Sequence, residues 1–127
     1  MLLHQVAQRA TDLGRAAAFY ERLLGAPPIA TFDPPGLVFF DLSGTRLLLD
    51  RVAPSGLIYL RVDDVREAVE RLRADGVTIE SEPHVIFSDE QGTFGAAGDD
   101  EWMAFIRDSE DNVVGLASRS PAVGLRR

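Results

Sequence analysis

Apolar residues recur every three or four positions near the start of the chain, at Leu13, Ala16, Ala17, Tyr20, Leu23 and Leu24. Asp12 precedes them as an N-cap and Gly25 follows as a stop, so the pattern predicts one amphipathic helix with a single buried stripe. A second stripe, Val65, Ala68, Val69 and Leu72, starts after Asp64 and ends at Gly76, with Glu67 placed to complete a capping box. Elsewhere the pattern is strand-like. One short run precedes each helix, Gln5 to Ala10 and Leu57 to Val62. Ile29 to Phe32, Leu37 to Leu42 and Arg46 to Arg51 follow the first helix, and Val77 to Phe87, Trp102 to Arg107 and Val113 to Ala117 follow the second. Turn chemistry separates the pieces at Asp33-Pro34-Pro35-Gly36, Ser43-Gly44 and Ser109 to Asn112.

The order βαβββ therefore occurs twice, and the chain is expected to be α+β: one domain over 1–127, with module one at about 1–53, module two at about 54–119 and a short tail. Superposing Asp12 on Asp64 aligns the helices, whereas aligning Asp41-Leu42-Ser43-Gly44 on Asp108 to Asp111 demands an insertion in module two. The Gly-rich, acidic stretch from Ser88 to Glu101 is the natural place for it. That stretch is expected to be a long mobile loop, either a lid over a pocket or a plain solvent loop.

Composition narrows the chemistry. Cysteine is absent, which excludes thiol nucleophiles, disulfides and thiolate metal sites. Lysine is absent as well, which excludes Schiff-base catalysis. Net charge is −7, from 13 basic and 20 acidic residues, and the arginines are scattered apart from Arg126 and Arg127, so no nucleic-acid partner is expected. No apolar run approaches the roughly 20 residues that cross a bilayer, and the first residues lack a signal-peptide pattern, so a cytoplasmic location without a membrane partner is expected.

The opening, Leu3-His4-Gln5-Val6-Ala7-Gln8-Arg9-Ala10-Thr11-Asp12-Leu13 and then Ala18-Phe19-Tyr20-Glu21-Arg22-Leu23-Leu24-Gly25, resembles the first module of vicinal-oxygen-chelate proteins, the superfamily of glyoxalase I, bleomycin-resistance proteins and extradiol dioxygenases. Tyr59-Leu60-Arg61-Val62-Asp63-Asp64-Val65-Arg66-Glu67-Ala68 resembles the second opening, and Phe105-Ile106-Arg107-Asp108-Ser109-Glu110-Asp111-Asn112 resembles the closing turn with two replacements. The resemblance runs to about Ser118. It implies a curved cup built from the sheets of both modules, homodimer formation, and a divalent metal on four side chains, one from the first and one from the last strand of each module. Carried over by spacing, those positions are Gln5, Leu48, Leu57 and Gly115. Only Gln5 carries a lone pair, so no metal and no other cofactor is expected at the usual place; a divalent metal at a non-standard site is the alternative.

Strand alternation assigns faces. With Gln5 turned to the cup, Ala7 and Arg9 follow it, and Leu57, Tyr59 and Arg61 do so in module two. Gln8 falls in a slot that calls for an apolar residue and is assigned to a dimer seam. Arg9 and Arg61 correspond between modules, and the resemblance gives Arg9 the spacing of an arginine that holds a substrate carboxylate. The alternative is that the two tie strands together through Asp50 or another acid. His84 and Glu101 are the candidate catalytic groups, each with an ordinary alternative, a structural histidine and a solvated loop charge. Trp102 serves the core or the cup wall. The expected ligand-binding set is Gln5, Arg9, Asp50, Tyr59, Arg61 and Trp102. The function that fits is metal-independent binding of a small anionic or aromatic molecule. A glyoxalase-like lyase, isomerase or dioxygenase with non-standard ligands and a non-catalytic dimeric interaction module are the alternatives.

Overall fold

The computed structural model describes residues 1–122; Arg126 and Arg127 lie outside the described residues. The chain divides into two compact units, one of residues 1–57 with the turn 108–112, the other of residues 58–107 and the chain from Val113 on. The turn 108–112, which the sequence pattern puts at the close of module two, belongs to the first unit.

The first unit holds β1 (Gln5–Arg9), α1 (Leu13–Leu24), β2 (Ala30–Phe32), β3 (Leu37–Leu42) and β4 (Thr45–Asp50), with the sheet order β1-β4-β3-β2. The Asp12 side chain accepts from the Arg15 N–H, and Gly25 closes the helix at φ 77, where only glycine is comfortable. Leu13, Ala16, Phe19 and Tyr20 of α1 are buried together with Val38, Phe40, Leu47 and Leu49 of the sheet. The helix stripe thus includes Phe19, which the three-four reading passed over.

Gln8 departs from the place expected for it. It is fully buried beside Tyr20 instead of standing at a seam, and neither amide atom has a hydrogen bond of good geometry. The Tyr20 hydroxyl donates to Asp108 Oδ2 at 2.7 Å. Asp108 also accepts from the backbone N–H groups of Glu110 and Asn112 and from Asn112 Nδ2, so the turn carries a satisfied buried carboxylate.

The second unit holds β5 (Ile58–Arg61), α2 (Val65–Ala74), β6 (Ile79–Asp89), β7 (Asp99–Arg107) and β8 (Val113–Pro121), with the order β5-β8-β7-β6. Asp64 caps α2 by accepting from the Arg66 N–H, and Ser118 Oγ accepts from Val65 N–H. Glu67 departs from the capping-box reading: it pairs with Arg71 one turn on. Val65, Ala68 and Val69 are buried with Ala104, Ile106, Val114 and Leu116.

The loop expected from Ser88 to Glu101 is shorter than that, because strands take its two ends and leave residues 90–98 as the connection. β6 continues to Asp89 and β7 begins at Asp99, with Ser88 opposite Asp100 and Asp89 opposite Asp99. Only the tip between them lacks ladder pairing. Asp89, 3% exposed, anchors it by accepting from the N–H groups of Thr93 and Phe94, and Phe94 lies edge-on to Phe87.

Candidate functional site

Burial separates the two faces of each sheet. In the first unit Gln8, Leu47, Leu49, Val38 and Phe40 are buried, so their alternating neighbours make the opposite, open face. The register sets these in rows: Gln5 beside Arg46 and Asp41, Ala7 beside Leu48 and Phe39, Arg9 beside Asp50 and Leu37.

In the first row Arg46 Nε donates to Gln5 Oε1 at 2.9 Å, its Nη2 lies 2.9 Å from His4 Nε2, and its guanidinium lies over the Phe39 ring. The one lone-pair side chain among the four metal positions is therefore already bound to a cation. The sequence reading missed Arg46, although alternation from Leu48 puts it on the same face. Asp50 accepts from the Val52 N–H and makes no ion pair with Arg9, its ladder neighbour. The Arg9 guanidinium is exposed and has no partner among the described residues.

The second unit's open face carries half of the candidates, Tyr59, Arg61, His84 and Glu101. Tyr59, Gly115, Phe105 and Ser81 are consecutive cross-strand partners, and so are Arg61, Ala117, Met103 and His84. The next row holds Arg119, Glu101 and Phe87. Tyr59 and Phe105 meet edge to face at 6.0 Å. They cover Gly115 so closely that a Cβ there would lie 2.6 Å from Tyr59 Cδ2. A longer, ligating side chain at 115 would have to displace the Tyr59 ring. Leu48 and Leu57 offer only hydrocarbon, and Gln5 is held by Arg46, so these four residues do not fit a divalent metal. No cluster of three or more His, Asp or Glu side chains able to hold a metal occurs elsewhere among the described residues.

Arg61 ends β5, exposed and without a partner among the described residues. Neither the Arg9 nor the Arg61 guanidinium ties strands through an acid among the described residues. His84 Nδ1 lies 2.9 Å from the Glu82 carbonyl, which can only accept, so Nδ1 carries the proton and neutral His84 keeps its Nε2 lone pair.

Glu101 is a strand residue, 20% exposed at its side chain, and is ion-paired with Arg119 at 3.1 Å. The same guanidinium reaches Asp89 at 2.8 Å and Asp99 at 3.7 Å, which raises the arginine's pKa, chiefly through its hydrogen bond with Asp89. Trp102 stands apart from the set. Its alternation puts it with Ala104 and Ile106 on the helix-packed face, under the Arg66 guanidinium at 4.6 Å and beside a small pocket of about 80 Å³.

Among the described residues no helix is long and apolar enough to cross a membrane. No curated protein matches the chain. Solved structures do. One is described as a member of the glyoxalase/bleomycin resistance protein/dioxygenase superfamily from Sphaerobacter thermophilus (21% identity, 93% of this chain and 97% of that one, TM-score 0.70). A second is a lactoylglutathione lyase from Agrobacterium tumefaciens (24%, 92% and 92%, TM-score 0.65). A third is a V278E glyoxalase I mutant from Zea mays (18%, 93% and 44%, TM-score 0.68). At these identities they show the fold, two helices and two four-stranded sheets of glyoxalase type. The family model of the Glyoxalase/Bleomycin resistance protein/Dioxygenase superfamily matches residues 2–116, and the chain belongs to that superfamily.

Proposed function

We propose that the protein binds a small aromatic or anionic molecule without a metal ion. The observation that carries this reading is the hydrogen bond from Arg46 to Gln5. A guanidinium beside the one lone-pair donor repels a divalent cation and attracts an anion. The exposed Arg61 guanidinium, one ladder step from the Tyr59–Phe105 pair, adds a charged fork next to an aromatic surface, the combination that recognises an aromatic carboxylate.

The enzymatic alternatives draw less support. Glu101 is occupied by Arg119, Asp50 by its own turn, and His84 has no carboxylate partner to tune it. We also propose that the chain acts as a cytoplasmic homodimer, because two-fold homodimers are the commonest oligomers and a second copy adds buried core to a small domain. Sedimentation that gives one species of single-chain mass at micromolar concentration contradicts the dimer.

The experiment for the ligand is a thermal-shift panel of aromatic carboxylates run in EDTA. At least one compound raises the melting temperature of the wild type and loses that effect in Arg61→Gln. A panel in which compounds bind only after a divalent metal is added overturns the proposal.

A further inference from the structure

Independent of that face, the first unit has a groove of about 260 Å³ on the helix side of its sheet, between α1 and the turn that joins β2 to β3. Its walls are Leu13, Ala17, Leu37 and Val38, with Phe32, half exposed, at the side. Two charged residues line it, Asp33 and Arg51. They have opposite signs, yet neither makes an ion pair or a side-chain hydrogen bond with the other or with any described residue.

Two glycines keep the space open. Gly14 lies in the first turn of α1, where glycine weakens a helix, and nothing packs against it: an added Cβ would meet only Asp12 Oδ1, at 3.6 Å. Gly36 takes φ 99 and lies under the Arg51 guanidinium, with which any Cβ would collide. The Arg51 guanidinium thus lies at the groove with no carboxylate among the described residues upon it.

From this arrangement we infer that the groove is a binding site for a free apolar α-amino acid. A ligand of plain negative charge meets the Asp33 carboxylate, and one of plain positive charge meets Arg51. A zwitterion answers both: its carboxylate accepts from the guanidinium, its ammonium donates to Asp33, and its side chain takes the apolar walls. At about 260 Å³ the groove lies just below the roughly 300–1,000 Å³ of pockets for drug-sized ligands, a size that suits one amino acid.

The test is a methyl NMR titration of the whole chain with L-leucine and L-phenylalanine, each up to about 20 mM, the range of a millimolar site. 3-Phenylpropionate and phenethylamine serve as half-charged controls. The amino acids shift the methyls of Leu13, Leu37 and Val38 saturably. Arg51→Gln and Asp33→Asn each weaken them at least about tenfold, the effect of one charge-assisted hydrogen bond. Gly14→Leu, a substitution into open space on an exposed helix surface, blocks the groove and abolishes the shifts. Arg61→Gln leaves them unchanged, which separates this site from the open-face site proposed above. Equal binding of phenylpropionate and phenylalanine, wild-type affinity in Asp33→Asn, or the absence of a saturable shift overturns the inference.

Discussion

The Tyr20 hydroxyl donates to the Asp108 carboxylate at 2.7 Å, tying the middle of α1 to the turn 108–112 inside the first unit. Burial and the adjacent negative charge push the tyrosine's pKa upward, so it stays a donor across the working pH range. Tyr20→Phe removes one donor from a carboxylate that keeps three others, and it should cost about 1.5–3 kcal/mol, the usual worth of a hydrogen bond to a charged group. Urea unfolding with an unchanged m-value measures it; a change below about 0.5 kcal/mol contradicts the assignment.

Glu110 in the same turn gives a pH dependence with a defined sign. Its side chain is 2% exposed and ion-paired with Arg15 at 2.6 Å. The Arg15 hydrogen bond first, then donors from Asp12, Thr11 and Ser109, push its pKa down to about 2 against the opposing effect of burial. Between that value and the unfolded one, near 4.3, the unfolded chain holds more protons. Stability from this group is therefore complete above about pH 5 and is lost as pH falls towards 2, by at most about 3 kcal/mol. Glu110→Gln should lower stability at pH 7 and flatten this acid limb. An unaltered slope in the variant contradicts the attribution.

At the β6–β7 tip the expectation is kinetic. The Thr93 and Phe94 amides donate to Asp89, which Arg119 holds at 2.8 Å. Those two amides should exchange slowly with solvent in the wild type and quickly in Arg119→Ala, while α2 is unaffected. Fast exchange of both amides in the wild type would mean that the tip is the mobile loop its composition suggests.

Where that composition misleads, at the two ends of the stretch, the reason is physical. Both helices, their Asp caps and the alternation of β1 and β5 are local signals, and they are legible in the sequence because one buried stripe or face sets the period. Asp99, Asp100 and Glu101 have poor strand propensity, and they sit in β7 because Arg119, on the neighbouring strand, neutralises the end of the hairpin. No window around 88–101 contains Arg119. Gln8 failed for the opposite reason: a polar residue in a core slot reads as surface, yet it lies beside the Tyr20 hydroxyl in a polar part of the core. On the open faces Arg9, Tyr59 and Arg61 fell where alternation puts them. Trp102 fell on the other face from the expected ligand set, because alternation along β7 groups it with buried Ala104 and Ile106.

Once a ligand of the second unit's open face is identified, Arg61→Ala should weaken it by about 1.5–3 kcal/mol, and Tyr59→Ala should weaken aromatic ligands more than aliphatic ones. Calorimetry in EDTA reads both. Unchanged affinity in Arg61→Ala removes this arginine from the site.

Metal independence is the centre of the account, and thermal melting with EDTA and with Ni, Zn, Mn or Fe(II) tests it most directly. Gln5 is engaged by Arg46, and a side chain at Gly115 would have to displace Tyr59, so no set of lone pairs is on hand to replace the water of a divalent ion. A metal bound at a hundredfold excess over its dissociation constant would stabilise the fold by about 2.7 kcal/mol. The predicted result is one melting temperature, within error, in all five conditions. A stoichiometric metal that raises it, and whose effect disappears in Gln5→Ala, contradicts the account.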